Sequence, residues 1–147
     1  MIDFTFENPT RIHFGKNALS HLAAEVKRYG TRILLVYGGG SLKRIGLYEQ
    51  IMTILNSENA QVWEISGVQP NPRLSLVRKG IEICRENDIQ LVLAAGGGSA
   101  IDTAKAIVNG ACYDGDPWDL VIRKAPITNA LPVFSVLTAS HNTFKSL

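Results

Sequence analysis

The sequence predicts an α/β domain built on a parallel sheet with helices on both of its faces. Two short runs, Ile33–Tyr37 and Leu91–Ala95, are wholly apolar, as is typical of strands buried on both sides. Segments with helical spacing of apolar residues alternate with these and other strand-like runs, which favours parallel pairing. In addition, Gly-Gly-Gly-Ser follows both apolar runs, at Gly38–Ser41 and Gly96–Ser99. Doubly wound sheets bind ligands where strands end in this way.

Length and composition are consistent with one compact domain. The chain has 147 residues, of which 46% are hydrophobic and 19% charged, so it is not a disordered segment. The 15 basic and 13 acidic residues leave a net charge of +2, which argues against general nucleic-acid or membrane-surface binding. We see no signal peptide and no uninterrupted apolar stretch of membrane-spanning length. Two distant cysteines indicate a reducing compartment, and we expect a cytoplasmic protein.

The first elements are a ribbon and a helix. Alternating residues in Ile2–Phe6 and Arg11–Phe14 predict a β-hairpin or edge ribbon. An amphipathic helix follows, with Asn17 as a candidate N-cap and Gly30 as its stop.

The remaining elements alternate strictly. The predicted strands are Ile33–Tyr37, Gln61–Ile65, Leu91–Ala95 and Leu131–Leu137. Apolar stripes at helical spacing predict helices through Leu47–Leu55, Leu74–Cys84 and Ile101–Val108. The segment Asp116–Trp118 is interpreted as part of a loop.

The two glycine turns predict a nucleotide site. Glycine backbones allow close approach of a ligand, and successive N–H groups at a helix start favour an anion such as phosphate. Ser99 would cap the helix and donate to phosphate, whereas Asp102 would hold a ribose, an amide or a neighbouring donor. The alternative is a tight packing turn without a ligand, since short glycine motifs are not specific.

The first turn favours NADP over NAD. It lacks the acidic residue that commonly binds the ribose 2′-hydroxyl of NAD, and Ser41, Lys43 and Arg44 follow it. Alternatively, Lys43 and Arg44 are solvated charges at a helix start. The turn matches neither the standard dinucleotide fingerprint nor a Walker A loop.

Several segments together resemble the N-terminal domain of the iron-containing (group III) alcohol dehydrogenases, most closely the NADP-dependent butanol dehydrogenase type. They are Phe6–Thr10, Phe14-Gly15, Tyr37–Ser41, Gly67–Pro72, Gly96–Asp102, Asp116–Asp119 and Val136–Thr138. The resemblance implies a Rossmann-like dinucleotide-binding domain over residues 1–138, with Asn71 and Thr138 lining the nucleotide. NAD-preferring relatives carry Asp at the position of Gly39, so the resemblance also favours NADP. The expected cofactor-binding residues are Gly38, Gly39, Gly40, Ser41, Asn71, Gly96, Gly97, Gly98, Ser99, Asp102 and Thr138.

Residues 139–147 depart from the family pattern, which continues as Ala-Thr-Gly-Ser/Thr-Glu. The resemblance implies a further helical domain that holds a divalent metal, iron or zinc, through one Asp and three His. This sequence has no counterpart of that domain, and His13, His21 and His141 lack ligand spacing. We therefore expect no catalytic residues, no bound metal and no turnover by this chain alone.

Two other functions stay open at this point. A non-catalytic nucleotide-binding or oligomerisation module would use the same fold, and we expect a homo-oligomer in either case. A relative of glycerol dehydrogenase or dehydroquinate synthase would share the second turn, but Tyr37–Ser41 and Asp116–Asp119 count against it.

Overall fold

The computed structural model describes residues 10–70, 73–127 and 129–138. Within them the strands are β1 (Arg32–Tyr37), β2 (Gln61–Ile65), β3 (Leu91–Gly96) and β4 (Val133–Leu137). The helices are α1 (Leu22–Tyr29), α2 (Ser41–Arg44), α3 (Leu47–Ser57), α4 (Leu74–Glu86), α5 (Gly98–Ala111) and α6 (Pro117–Val121). A 3-10 turn over Ala18–His21 leads into α1.

The strands form one parallel sheet in the order β2-β1-β3-β4, which confirms the predicted fold class. β1 lies between β2 and β3, so the chain leaves β1 for a neighbour on one side and later returns to its other side. This change of direction creates a crevice at the carboxyl ends of β1 and β3.

Each face of the sheet is covered by helices. Leu34 and Val36 of β1 belong to a core cluster shared with α4 and α5. Ile33 and Leu35 alternate with them and belong to a second cluster shared with α1 and α3. Burial on both faces explains why β1 and β3 are apolar at nearly every position.

The predicted N-terminal ribbon is not seen in the part that is described. Ile2–Phe6 lies outside the described residues, and residues 11–14 have no strand. Arg11 instead donates from Nη1 to Glu25 Oε1 of α1 at 2.8 Å, and His13 Nε2 lies 3.3 Å from the same oxygen. Side-chain contacts to α1, rather than strand pairing, hold this segment.

Two local predictions need correction. The segment Asp116–Trp118 is not all loop, because α6 begins at Pro117. Asp116 accepts a hydrogen bond from the Trp118 N–H, and Pro follows at the first helical position, which is a helix-start pattern present in the sequence. Asn17 precedes the 3-10 turn without a side-chain capping bond.

No helix of the described residues has the length and apolar character needed to cross a membrane.

Candidate nucleotide-binding site

The two glycine turns leave the sheet side by side. Tyr37 at the end of β1 is the register partner of Ala95 in β3, so Gly38 and Gly96 follow at the same level. Because β1 and β3 are parallel neighbours, both turns lie at the carboxyl edge of the sheet, at its change of direction.

Backbone hydrogen bonds fix the surroundings of the turns. The Gly67 N–H donates to the Gly38 carbonyl at 3.0 Å, and the Thr138 N–H donates to the Gly96 carbonyl at 2.9 Å. These bonds bring the segment after β2 and the end of β4 to the same edge. Thr138 is thus next to the second turn although it is far from it in sequence.

Gly96 is a glycine for a conformational reason. Its φ of 141° lies in a region that side chains rarely adopt, so this residue is needed to turn the chain from β3 towards α5.

Four other glycines have no such reason within the described chain. At Gly39, Gly40, Gly97 and Gly98, an added Cβ atom would meet no other atom within 4 Å, and none of the four has a positive φ. All four are exposed at the edge of the sheet. Neither backbone conformation nor internal packing therefore requires glycine here, and a bare backbone can be approached closely from outside.

The second turn also presents the amino end of a long helix. α5 has 14 residues and begins at Gly98, with Gly97 as its N-cap and no side-chain capping bond. Among the described residues, no acceptor binds the N–H groups of Gly98 and Ser99, so they can bind an external acceptor, and the helix dipole favours a negative one. The expectation that Ser99 caps this helix is wrong, because the helix starts one residue before it. Ser99 lies in the first turn, where its carbonyl accepts the Thr103 hydroxyl at 2.8 Å.

Nearly all of the expected site residues are at this edge. The structure places Gly38–Ser41 after β1, Gly96–Ser99 after β3 and Thr138 after β4, and an exposed Asp102 follows one turn into α5. Asn71 lies outside the described residues. Ser41 is the first residue of α2 and is exposed.

An apolar cleft adjoins the site on the α4–α5 side of the sheet. It has a volume of about 390 Å³ and begins at Asp102, and Leu74, Ala106, Trp118 and Ile127 are among its walls. A cleft of this size and character suits a flat or aliphatic group rather than a second charged one.

The sequence did not single out three side chains beside the first turn. Tyr37, Tyr48 and Glu64 come from β1, α3 and β2, and they meet around Lys43 of α2. Only the pairing of β1 with β2 brings Glu64 close to Tyr37, so no short motif could reveal this cluster.

Across the described ranges, no group of three or more His, Cys, Asp and Glu side chains is arranged to hold a metal ion. The candidate site at the carboxyl edge consists of backbone N–H groups and of side chains such as those of Ser41, Ser99, Asp102 and Thr138.

Known proteins resemble this chain over nearly its whole length. The NADH-dependent butanol dehydrogenase A of Clostridium acetobutylicum is 52% identical over 140 residues, which cover 95% of this chain and 36% of the relative. The NADPH-dependent aldehyde reductase YqhD of Escherichia coli is 36% identical over 141 residues, covering 94% of this chain and 36% of the relative. The chain therefore spans little more than a third of the length of these relatives.

Solved structures agree with this result. The crystal structure of NADH-dependent butanol dehydrogenase A from Thermotoga maritima superposes with a TM-score of 0.88 at 45% identity, covering 94% of this chain and 35% of that one. The sequence model of the family described as iron-containing alcohol dehydrogenase matches residues 9–142. The sheet, the glycine turns at its carboxyl edge and this match agree, and the chain belongs to the iron-containing alcohol dehydrogenase family.

Proposed function

We propose that this chain binds a nicotinamide dinucleotide and forms the cofactor-binding part of an alcohol or aldehyde oxidoreductase. The observation that carries the proposal is the set of four exposed glycines, Gly39, Gly40, Gly97 and Gly98, for which the described chain itself gives no reason. A dinucleotide lying on the two turns supplies that reason, since Cβ atoms at these positions would occupy the space that it needs.

The residues present fit such a group. The open N–H groups at the start of α5 would bind the pyrophosphate, whose charge the helix dipole favours. Thr138, held beside Gly96, would contact the nucleotide with its hydroxyl. Asp102 lies between the second turn and the apolar cleft, where it would accept a hydrogen bond from a ribose or amide. When bound, the dinucleotide supplies the hydride acceptor or donor for the reaction.

Within this class we propose a preference for NADP(H) over NAD(H). Gly39 brings no carboxylate to the first turn, and the exposed basic residues Lys43 and Arg44 follow it in α2. The 2′-phosphate of NADP would therefore lie near positive rather than negative charge. The names of the relatives include both NADH-dependent and NADPH-dependent enzymes, so only a binding measurement decides between the two cofactors.

The relatives' names point to butanol and aldehydes as the substrate class. We propose that turnover needs a divalent metal held by residues that this sequence does not contain, and that the 147-residue chain binds cofactor without oxidising alcohols. A steady-state assay with NADPH, an aldehyde and added Fe²⁺ or Zn²⁺ tests this. Metal-dependent turnover above the enzyme-free rate would contradict it.

We also propose that the chain self-associates. β4 and β2 are the outer strands of the sheet, and Leu137 of β4 is 65% exposed. Open strand edges and exposed apolar side chains favour contact with a second copy. Light scattering at micromolar concentration is expected to give a mass above that of one chain, and a uniform monomer would contradict this proposal.

Cofactor binding itself is tested by calorimetric titration of the chain with NADP and NAD. We expect saturable binding of both, and tighter binding of NADP. If neither dinucleotide binds while the chain is folded, the proposed function is wrong.

A further inference from the structure

Four side chains from four different elements surround the first glycine turn. Tyr37 ends β1 immediately before Gly38, Lys43 lies in α2 shortly after Gly40, and Tyr48 and Glu64 come from α3 and β2. We refer to Tyr37, Lys43, Tyr48 and Glu64 as the Lys43 cluster.

The ammonium group of Lys43 lies over two aromatic rings. Its Nζ atom is 4.8 Å from the ring centroid of Tyr48 and 5.9 Å from that of Tyr37. Both distances are within the range of cation–π attraction, about 6 Å. The two rings are themselves in contact, with centroids 5.6 Å apart. Lys43 is exposed, and the contacts with both rings favour a position of its charged end over them.

Glu64 fixes the two rings. The Tyr37 hydroxyl donates to Glu64 Oε1 at 3.2 Å. Hydrogen bonding to the Glu64 carboxylate raises the pKa of Tyr48 to about 12, which favours the protonated phenol as the donor in this contact. Glu64 is in turn placed by the parallel register of β2, where it is opposite Leu35 of β1. The carboxylate is thereby engaged by neutral donors.

We propose that Lys43 recognises the 2′-phosphate on the adenosine ribose of the dinucleotide, and that Tyr37, Tyr48 and Glu64 are positioning residues that hold its ammonium group beside the first turn. This inference rests on the proposed dinucleotide binding. A fixed cation loses less side-chain entropy on binding a phosphate than a freely moving lysine does. Arg44 adjoins Lys43 and is equally exposed, and therefore serves as a matched control of the same charge.

The experiment compares two small probes that differ in the group of interest. Adenosine 2′,5′-bisphosphate carries the 2′-phosphate, whereas adenosine 5′-monophosphate (AMP) lacks it and is otherwise identical, and both are titrated calorimetrically at one fixed ionic strength. For the unaltered chain we expect the bisphosphate to bind more tightly. For Lys43→Gln we expect a loss of about tenfold or more for the bisphosphate and less than about twofold for AMP. Lys43→Arg keeps the charge and is expected to restore part of the preference.

Further variants separate positioning from bulk charge. Arg44→Gln removes charge near the first turn but no ring contact, and is expected to lower the preference for the bisphosphate much less than Lys43→Gln does. Tyr48→Leu removes the aromatic face under Lys43 and should lower the preference for the bisphosphate, while Tyr48→Phe keeps the face and should lower it less. Circular dichroism of each variant verifies that it is folded.

Four outcomes of these titrations would overturn the inference or the proposed function. Equal losses for both probes in Lys43→Gln would place Lys43 on a shared part of the nucleotide and overturn the inference. An effect of Arg44→Gln as large and as selective as that of Lys43→Gln would overturn it as well. If AMP binds but the bisphosphate has no advantage, the inference fails while the proposed function stands. If the folded, unaltered chain binds neither these probes nor NAD and NADP, the proposed function fails first.

Discussion

Tyr37 and Ala95 are register partners in the neighbouring parallel strands β1 and β3. Because they are at the same level, the glycine turns that follow them form one continuous exposed edge. Gly96 is needed there for its backbone conformation, whereas Gly97 is not. These two adjacent glycines therefore allow ligand binding and folding to be tested separately.

Gly97→Ala is expected to weaken dinucleotide binding by about tenfold while changing the free energy of unfolding by no more than about 0.5 kcal/mol. An added Cβ meets no described atom, and the φ of −92° suits alanine. Gly96→Ala, in contrast, should destabilise the fold, because alanine is strained at a φ of 141°. Calorimetric titration and urea unfolding measure the two effects. Unchanged affinity in Gly97→Ala would argue against a ligand at this turn.

Gly39→Asp is expected to weaken NADP binding by about tenfold or more and to affect NAD much less. The new carboxylate would repel a nearby 2′-phosphate, and it fits sterically because a Cβ at this position is unobstructed. Gly39→Asn is the matched control, since it has nearly the same shape without the charge. Equal NADP affinities for the two variants would show that charge at this position does not matter.

A destabilising packing effect is expected away from the site, where Gly80 of α4 meets Ile107 of α5. A Cβ at Gly80 would lie 2.4 Å from Ile107 Cδ1, and Ile107 is fully buried. Overpacking typically costs about 1–3 kcal/mol, which exceeds the helix-propensity gain of about 1 kcal/mol from Gly to Ala. Gly80→Ala should therefore destabilise the chain.

The same substitution should cost much less in an Ile107→Ala background, where, of the three nearest atoms, only Ile65 Cδ1, at 3.1 Å from the added Cβ, remains close. Urea unfolding of the four proteins of this cycle measures the coupling. Additive effects would mean that the two helices do not meet as described.

We expect Asp116 to contribute to the stability of the fold in a pH-dependent way. The Trp118 N–H, and then the Arg78 guanidinium at 2.8 Å, lower the pKa of Asp116 below its ordinary value. A lowered folded-state pKa means that the stabilisation is complete above the ordinary Asp pKa of about 4 and is lost as the pH falls through the folded-state value. At pH 7, Asp116→Ala should lower Tm more than Asp116→Asn, which retains an acceptor for the helix cap.

Thermal unfolding between pH 7 and pH 3 tests the sign of this effect. The Tm difference between the unaltered chain and Asp116→Asn should shrink as the carboxylate is protonated. A difference that does not vary with pH would show that the Arg78–Asp116 contact contributes no electrostatic stabilisation.

Much of the fold follows from local patterns in the sequence. β1 and β3 are apolar because both of their faces are buried, and the stripes of α3, α4 and α5 each cover one face of the sheet. α2 and α6 were not predicted, because helices of four or five residues are too short to show a stripe. For α6, Asp116 followed by Pro117 is a usable helix-start signal in the sequence.

The glycine turns were visible in the sequence because a run of three glycines is rare and has a physical cost. The neighbours of Lys43 were not, since Tyr37, Tyr48 and Glu64 belong to separate elements that meet only in the folded chain. Sequence spacing also does not show whether Lys43 is a solvated charge or binds a phosphate, because that depends on contacts between separate elements.

The proposal that the carboxyl edge of this sheet binds a dinucleotide through its two glycine turns can be tested by an NMR titration of the ¹⁵N-labelled chain with NADP, following the backbone amide signals. We expect saturable shifts concentrated at Gly38–Ser41, Gly96–Ser99 and Thr138, with little change in α1. Absence of saturable shifts, or shifts confined to another surface, would contradict it.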